Sequence, residues 1–267
     1  MKIAVVSTGR NRCTLLAKYL HTTHPDLEFC GEFYNAERDD ESNPIEPGER
    51  GSAIHSPSMR TLSDLTAELL AKENYVVKII AISLTYDDIP DPAVFKLEEY
   101  DQIHFIERHD FFEQCCSWEV SMATGVFHLK SDDQPGSLAR KQEFDAVKQR
   151  TFKISSSRIF YSAESVELYL KIKRYVTDNN LPHTLHTYES VKQFSKNQTG
   201  LVDAKLNYSE LISNYKLKEE VNAVFNKYIS YNDMTTDMKS FKAAIGEIAG
   251  IRSIQSFANK MAAKWNK

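Results

Sequence analysis

Two arginines and a hydroxyl carry the first chemical signal in this 267-residue chain. Arg10 and Thr14 lie in Thr8-Gly9-Arg10-Asn11-Arg12-Cys13-Thr14, after the apolar run Ile3-Ala4-Val5-Val6 and before Leu15, Leu16, Tyr19 and Leu20 at helical spacing. A strand that passes through a small polar turn into a helix aims several backbone N–H groups and the positive end of the helix dipole at one point. With a guanidinium and a hydroxyl added there, the natural guest is a phosphate or sulfate ester. A second arginine, Arg108, follows the run Gln102-Ile103-His104-Phe105-Ile106. At the carboxyl end of a parallel strand it lies on the same sheet edge as the first loop, where Arg10 and Arg108 can grip two separated anions of one ligand. Taken alone, Arg108 reads as an ion-pair partner of Asp110.

The turn is not a Walker A loop. That motif needs Gly-x-x-x-x-Gly-Lys-Ser/Thr, and Arg12 and Cys13 stand where its second glycine and lysine belong. ATP or GTP hydrolysis is therefore disfavoured. The dinucleotide pattern Gly-x-Gly-x-x-Gly is also missing, since Gly9 is the sole glycine before Gly31.

The elements that position these residues follow from periodicity. The first helix ends near His24-Pro25, and a short strand follows at Leu27 to Cys30. Gly31-Glu32-Phe33-Tyr34 leads into a long polar stretch, 36 to 58, of the kind that forms functional lids or disordered segments. Leu62, Leu65, Leu69 and Leu70 mark a helix, and Tyr75 to Ala81 is a continuous apolar run suited to a buried parallel strand. Asp110 can cap the helix after the strand 102–106. Ser131 to Leu138 reads as a surface connection, a helix covers 163–178, and a last strand is expected at His183 to Thr187. Strand then helix, repeated, predicts an α/β domain with a parallel sheet, helices on both faces, and a ligand beyond the carboxyl ends of the strands. We expect one domain over 1–267, with a nucleotide-binding core at 1–130 and a helical remainder at 131–267.

Composition narrows the class. Hydrophobic content of 42%, charged content of 26% and a formal net charge of -4 suit a globular protein and give no reason to expect nucleic-acid binding. The start lacks the pattern of a signal peptide, and no apolar run is long enough to span a bilayer, so a cytoplasmic protein is expected. Cys13, Cys30, Cys115 and Cys116 show no Cys-x-x-Cys spacing and no paired histidines. Free thiols and no metal site are the expectation. Six Lys/Arg against one Glu over 239–267 predict a basic amphipathic helical end that packs on the body.

Further residues follow Arg108: Asp110, Gln114, Ser117, Trp118, and then Thr124-Gly125-Val126-Phe127-His128. Together with the first loop they resemble the PAPS-dependent sulfotransferases, most closely the Stf0 branch that sulfates carbohydrates. Gly9-Arg10-Asn11-Arg12-Cys13-Thr14-Leu15-Leu16 falls in register on that family's Pro-Arg-Ser-Gly-Ser/Thr-Thr/Ser-Leu-Leu loop. Arg108, Asp110, Ser117, Thr124, Gly125 and His128 match its later spaced motif, Gly31-Glu32 its Gly-Glu pair, and Tyr188-Glu189 its Tyr-Glu-Asp-Leu segment. The resemblance spans Lys2 to about Val191. The loop departs from the pattern at Gly9, Arg12 and Cys13, where the family has proline, glycine and a hydroxyl residue.

The resemblance implies a P-loop-like three-layer α/β/α fold with a central parallel sheet and a helical C-terminal extension. It implies 3'-phosphoadenosine 5'-phosphosulfate as co-substrate and a small-molecule or glycan hydroxyl as acceptor, without a metal. Arg10 would hold the bridging and departing oxygens. Gly9, Arg10, Asn11, Arg12, Cys13 and Thr14 would form the 5' cradle, and Arg108 with Ser117 would bind the 3'-phosphate. Glu32 is the expected general base, with His55 as a rival, and Lys78 can reach the site from its strand or pair elsewhere. Phe33, Tyr34 and Trp118 suit either a sugar ring or a core. The altered loop keeps open a catalytically silent nucleotide-binding or interaction protein on the same fold; a phosphoryl-transfer enzyme is a further reading, opposed by the missing Walker lysine. A homo-oligomer is left open as well.

Overall fold

A computed structural model describes residues 1–34, 61–81, 89–124, 129–130, 137–194, 201–202 and 206–248. Five parallel strands form its central sheet: β1 (Lys2–Ser7), β2 (Glu28–Gly31), β3 (Tyr75–Ile80), β4 (Gln102–Glu107) and β5 (His183–Thr187), in the order β2-β3-β1-β4-β5. β1 is paired on both sides, Ser7 opposite Ile80 of β3 and Ile106 of β4. β4 in turn pairs with β5, with Glu107 opposite Thr187. From β1 the chain crosses to one side to make β2, and from β3 it crosses to the other to make β4. The crevice where the order reverses therefore opens at the carboxyl end of β1.

Alternation of side chains sends Ile3 and Val5 of β1 to one face and Ala4 and Val6 to the other. The first face, with Val76, Ile80 and Ile106, is covered by Leu16, Ala17 and Leu20 of α1 (Cys13–Thr23). The opposite face meets Leu69 of α2 (Leu62–Leu70), Phe111, Phe112 and Cys115 of α3 (Phe111–Thr124), and the long α5 (Ser156–Asp178). Helices thus flank a parallel sheet on both sides, as the alternating pattern predicts. Each fully buried aliphatic side chain here contributes about 1.5–3 kcal/mol, and truncating Leu16 to alanine would cost about 2–5 kcal/mol.

Caps fix the elements where the sequence placed them. Thr61 and Asp64 form a reciprocal capping box for α2. Asp110 accepts from the Glu113 N–H at 3.1 Å and starts α3. Two expectations are corrected. α5 begins at Ser156, earlier than 163, because the Ser155 hydroxyl accepts from the Arg158 N–H at 3.2 Å. Helix α4 (Ser137–Val147) occupies the end of the stretch read as a connection; its sequence, SLARKQEFDAV, has too few apolar residues to show a face.

The C-terminal part is mostly helical, but His183–Thr187 is not the last strand as expected: a short antiparallel pair, Ile229–Ser230 with Thr235–Thr236, lies between the two main helices. α6 (Lys218–Tyr228) and α7 (Met238–Ile248) bring Phe225 and Phe241 against Phe111, with Phe225 and Phe111 stacked 4.1 Å apart. The basic end beyond 248 lies outside the described residues, as do 36–58 and Gly125 to His128. Among the described residues no helix is long and apolar enough to cross a membrane, and no group of three or more His, Cys, Asp or Glu is placed to hold a metal ion. All four cysteines are buried free thiols.

Candidate anion-binding site

The turn between β1 and α1 has a backbone written for glycine. Gly9, Arg10 and Arg12 all have positive φ, 95°, 55° and 66°, and Arg12 in the left-handed region is the N-cap of α1. A Cβ in that conformation costs about 1–2 kcal/mol per residue, so two arginines there mark a shape imposed by the surroundings. The N-cap side chain makes no capping hydrogen bond. The first turn of α1 therefore faces the crevice without a cap from its own N-cap residue, the arrangement that receives an anion.

β4 and the helix that follows it hold the turn. Gln114 Nε2 of α3 donates to Gly9 O at 2.9 Å and to Thr8 Oγ1 at 2.5 Å, and Asn11 Nδ2 donates to Ile106 O of β4 at 2.9 Å. Among the described residues, none donates a hydrogen bond to the buried Asn11 Oδ1 and Gln114 Oε1 atoms. Arg108, buried, donates to Arg10 O at 3.0 Å, and its other terminal nitrogen lies 3.4 Å from Glu113 Oε2.

Cations converge on this turn. Arg10 Nε donates to Ser117 Oγ at 3.1 Å, so the serine expected to share an anion with Arg108 is engaged by Arg10. Burial pulls the Arg10 guanidinium below its usual range and Arg108 adds to the pull, against Tyr208, Cys13 and Tyr188. A guanidinium stays protonated, so a partly desolvated positive charge stands at the turn. Tyr208, on the one-turn helix Tyr208–Leu211, hydrogen-bonds Ser117; burial raises its phenol while Ser117, Arg10 and Arg108 oppose the rise.

Lys78 supplies the fourth cation from the middle of β3. Its Nζ donates to Thr14 Oγ1 at 2.9 Å and to Glu32 Oε1 at 2.9 Å, and the side chain is 3% exposed. One ammonium thereby joins the hydroxyl of the anion turn to the carboxylate that follows β2. Gly31, with φ 56° beside a break in the β2–β3 register, bends the chain so that Glu32 leaves the strand at this place.

The structure brings together Arg10, Asn11, Arg12, Thr14, Glu32, Lys78, Arg108 and Ser117. Cys13, the first residue of α1, lies in the apolar cluster that holds Leu16 and Leu20 of the same helix. Tyr34 is core: it meets Phe95 edge to face at 5.3 Å and approaches the Tyr100 hydroxyl at 3.4 Å. Trp118 is buried against the α1 side, and Phe33 is half-buried. His55 lies outside the described residues. Asp110 does not pair with Arg108; Lys218 holds it at 2.7 Å, and the hydrogen bonds from Lys218, Asn222 and the Glu113 amide keep its carboxyl low although burial pushes it up.

Sequence reasoning assigned no part to Gln114 or Tyr208, and left Tyr188 as a motif match. The only available signal for Gln114 was a polar residue one turn into α3, four positions after the capping aspartate; its burial shows only in the structure. For Tyr208 there was none, because its approach to Arg10 depends on how the C-terminal part folds back. Set beside family models, curated proteins and solved structures, the chain matches none of them.

Proposed function

We propose that this protein is a sulfotransferase that moves the sulfuryl group of 3'-phosphoadenosine 5'-phosphosulfate to a hydroxyl of a carbohydrate or other small acceptor, on a P-loop-like α/β fold. The observation that carries the reading is Lys78, whose ammonium is shared by Thr14 of the anion turn and by the Glu32 carboxylate. It puts a proton acceptor next to a cation-lined anion turn that lacks the Walker lysine, at the crevice in the sheet.

In this reading the turn 9–14 cradles the 5'-phosphate and Arg108 the 3'-phosphate. Glu32 takes the proton of the acceptor hydroxyl as its oxygen attacks sulfur. The new O–S bond forms while the sulfur bond to the bridging phosphate oxygen breaks, and Arg10 and Lys78 stabilise the charge left on 3'-phosphoadenosine 5'-phosphate. Positioning and fixed cations supply the rate, as in phosphoryl transfer. The ion pair that engages Glu32 also favours a second reading, a silent nucleotide-binding protein that holds the donor without transfer.

Calorimetric titration with 3'-phosphoadenosine 5'-phosphate beside ATP tests the donor site. The wild type is expected to bind the bisphosphate and not ATP, with at least tenfold weaker binding in Arg108→Ala. No binding, or equal binding of ATP, refutes the reading. Transfer to a panel of sugars, abolished in Glu32→Ala, separates the enzyme from the silent binder.

A further inference from the structure

We propose that Arg12 is a positioning residue, whose side chain ties the anion turn to the end of β5 through Tyr188 and so holds the turn in its binding shape. This rests on the anion-site reading of the same turn and adds the device that maintains it.

Arg12 stands in a left-handed position that favours glycine, and its side chain leads out of the turn. The Nη1 group donates to the Tyr188 carbonyl at 2.6 Å, and the guanidinium carbon lies 3.6 Å from the centre of the Tyr188 ring. A guanidinium on an aromatic face gains both quadrupole attraction and stacking. The Arg108 guanidinium carbon lies 4.3 Å from the same ring centre, and Arg108 also donates to the Arg10 carbonyl. Tyr188 is itself fixed, its N–H donating to the Glu107 carbonyl at 2.7 Å.

These contacts close a circuit from Arg10 through Arg108 and Tyr188 to Arg12. The two left-handed arginines are each held by one end of it, Arg10 by its carbonyl and Arg12 by its side chain. A glycine at position 12 would adopt the backbone shape unaided but could not make the tether. The charge of Arg12 acts on the ring and carbonyl of Tyr188, and its effect on an anion runs through the shape of the turn.

A double-mutant cycle tests this. Wild type, Arg12→Ala, Arg12→Lys, Tyr188→Ala and Arg12→Ala/Tyr188→Ala are titrated with 3'-phosphoadenosine 5'-phosphate and with inorganic pyrophosphate, and their thermal unfolding is recorded without ligand. Each single variant is expected to bind about tenfold more weakly, and the double variant no more weakly than either. Arg12→Lys, which keeps the charge but not the planar group, should behave as Arg12→Ala does. Losses that multiply in the double variant, or full binding by Arg12→Lys, would show direct contact with the anion and overturn the proposal. So would coupled stability with unchanged affinity, the mark of a purely structural pair. A wild type that binds pyrophosphate but not the bisphosphate overturns the donor assignment and leaves the pyrophosphate cycle to decide on Arg12; one that binds neither overturns both.

Discussion

Replacing Lys78 by methionine removes a buried cation and leaves its partner behind. The ammonium is 2.9 Å from Glu32 Oε1, with the two side chains 3% and 12% exposed, so neither charge is well solvated. Breaking a buried pair by deleting one member costs about 3–5 kcal/mol, because the remaining charge is uncompensated. For a chain of this size that is a fall of roughly 10 °C in Tm. Glu32→Gln in the Lys78→Met background removes the stranded charge and should recover more than half of the loss. Thermal unfolding at pH 7 followed by circular dichroism, on the two single variants and the double, measures both terms. A Lys78→Met protein within about 0.5 kcal/mol of the wild type would mean that Glu32 turns out to water when unpaired, and would refute the claim that Lys78 holds it at the turn.

Three further outcomes follow from the same structure. His104 faces His186, with Nδ1 and Nε2 3.0 Å apart, and burial first and the His186 charge second pull its pKa from 6.5 to about 4. The unfolded chain then takes up a proton that the folded one refuses, so this stability is complete above about pH 6.5 and is lost as pH falls towards 4, by about 3 kcal/mol at the acid end. His104→Gln should flatten the Tm profile across that window, and an unchanged slope contradicts the assignment. Lys173 Nζ lies 2.7 Å from Glu107 Oε1 with both side chains nearly buried, so Lys173→Met should lose about 3–5 kcal/mol in urea unfolding; a loss under about 1 kcal/mol contradicts it. Burial pushes the Cys30 and Cys115 thiols up to about 12 and raises Cys116 as well, so iodoacetamide at pH 8 should leave these three unmodified until urea is added. Rapid labelling of any of them in the native protein contradicts that.

Local signals made the sheet readable. Tyr75 to Ala81 announces a buried parallel strand through an apolar run interrupted only by Lys78, and the Asn179-Asn180-Leu181-Pro182 break marks the start of His183 to Thr187. Parallel strands put Arg10, Glu32, Arg108 and Tyr188 at one edge, so which residues share the site follows from their places after strands. How they are joined does not. Lys78 is a lone charge within an apolar run, and only the position of α1 over β3 shows that it meets Thr14. Arg12 in the sequence is a bulky intruder in a glycine's place; only the end of β5 shows where its side chain goes. Helix α4 and the Ser117–Tyr208 contact escaped for the same kind of reason, the first lacking an apolar stripe and the second resting on a contact between distant segments.

The turn near the start of the chain is held by groups that come much later in it. Its two left-handed arginines are secured by contacts 98 and 176 residues away along the chain, from Arg108 to the Arg10 carbonyl and from Arg12 to the Tyr188 carbonyl. Closing loops of that length is slow and costs chain entropy, and both contacts need β4 beside β1 and β5 beside β4. A chain halted before residue 188 would carry every residue of the turn but not the carbonyl and ring of Tyr188 that Arg12 engages. If the turn takes the anion proposed for it, binding during synthesis or refolding should appear only after β5 has docked on β4.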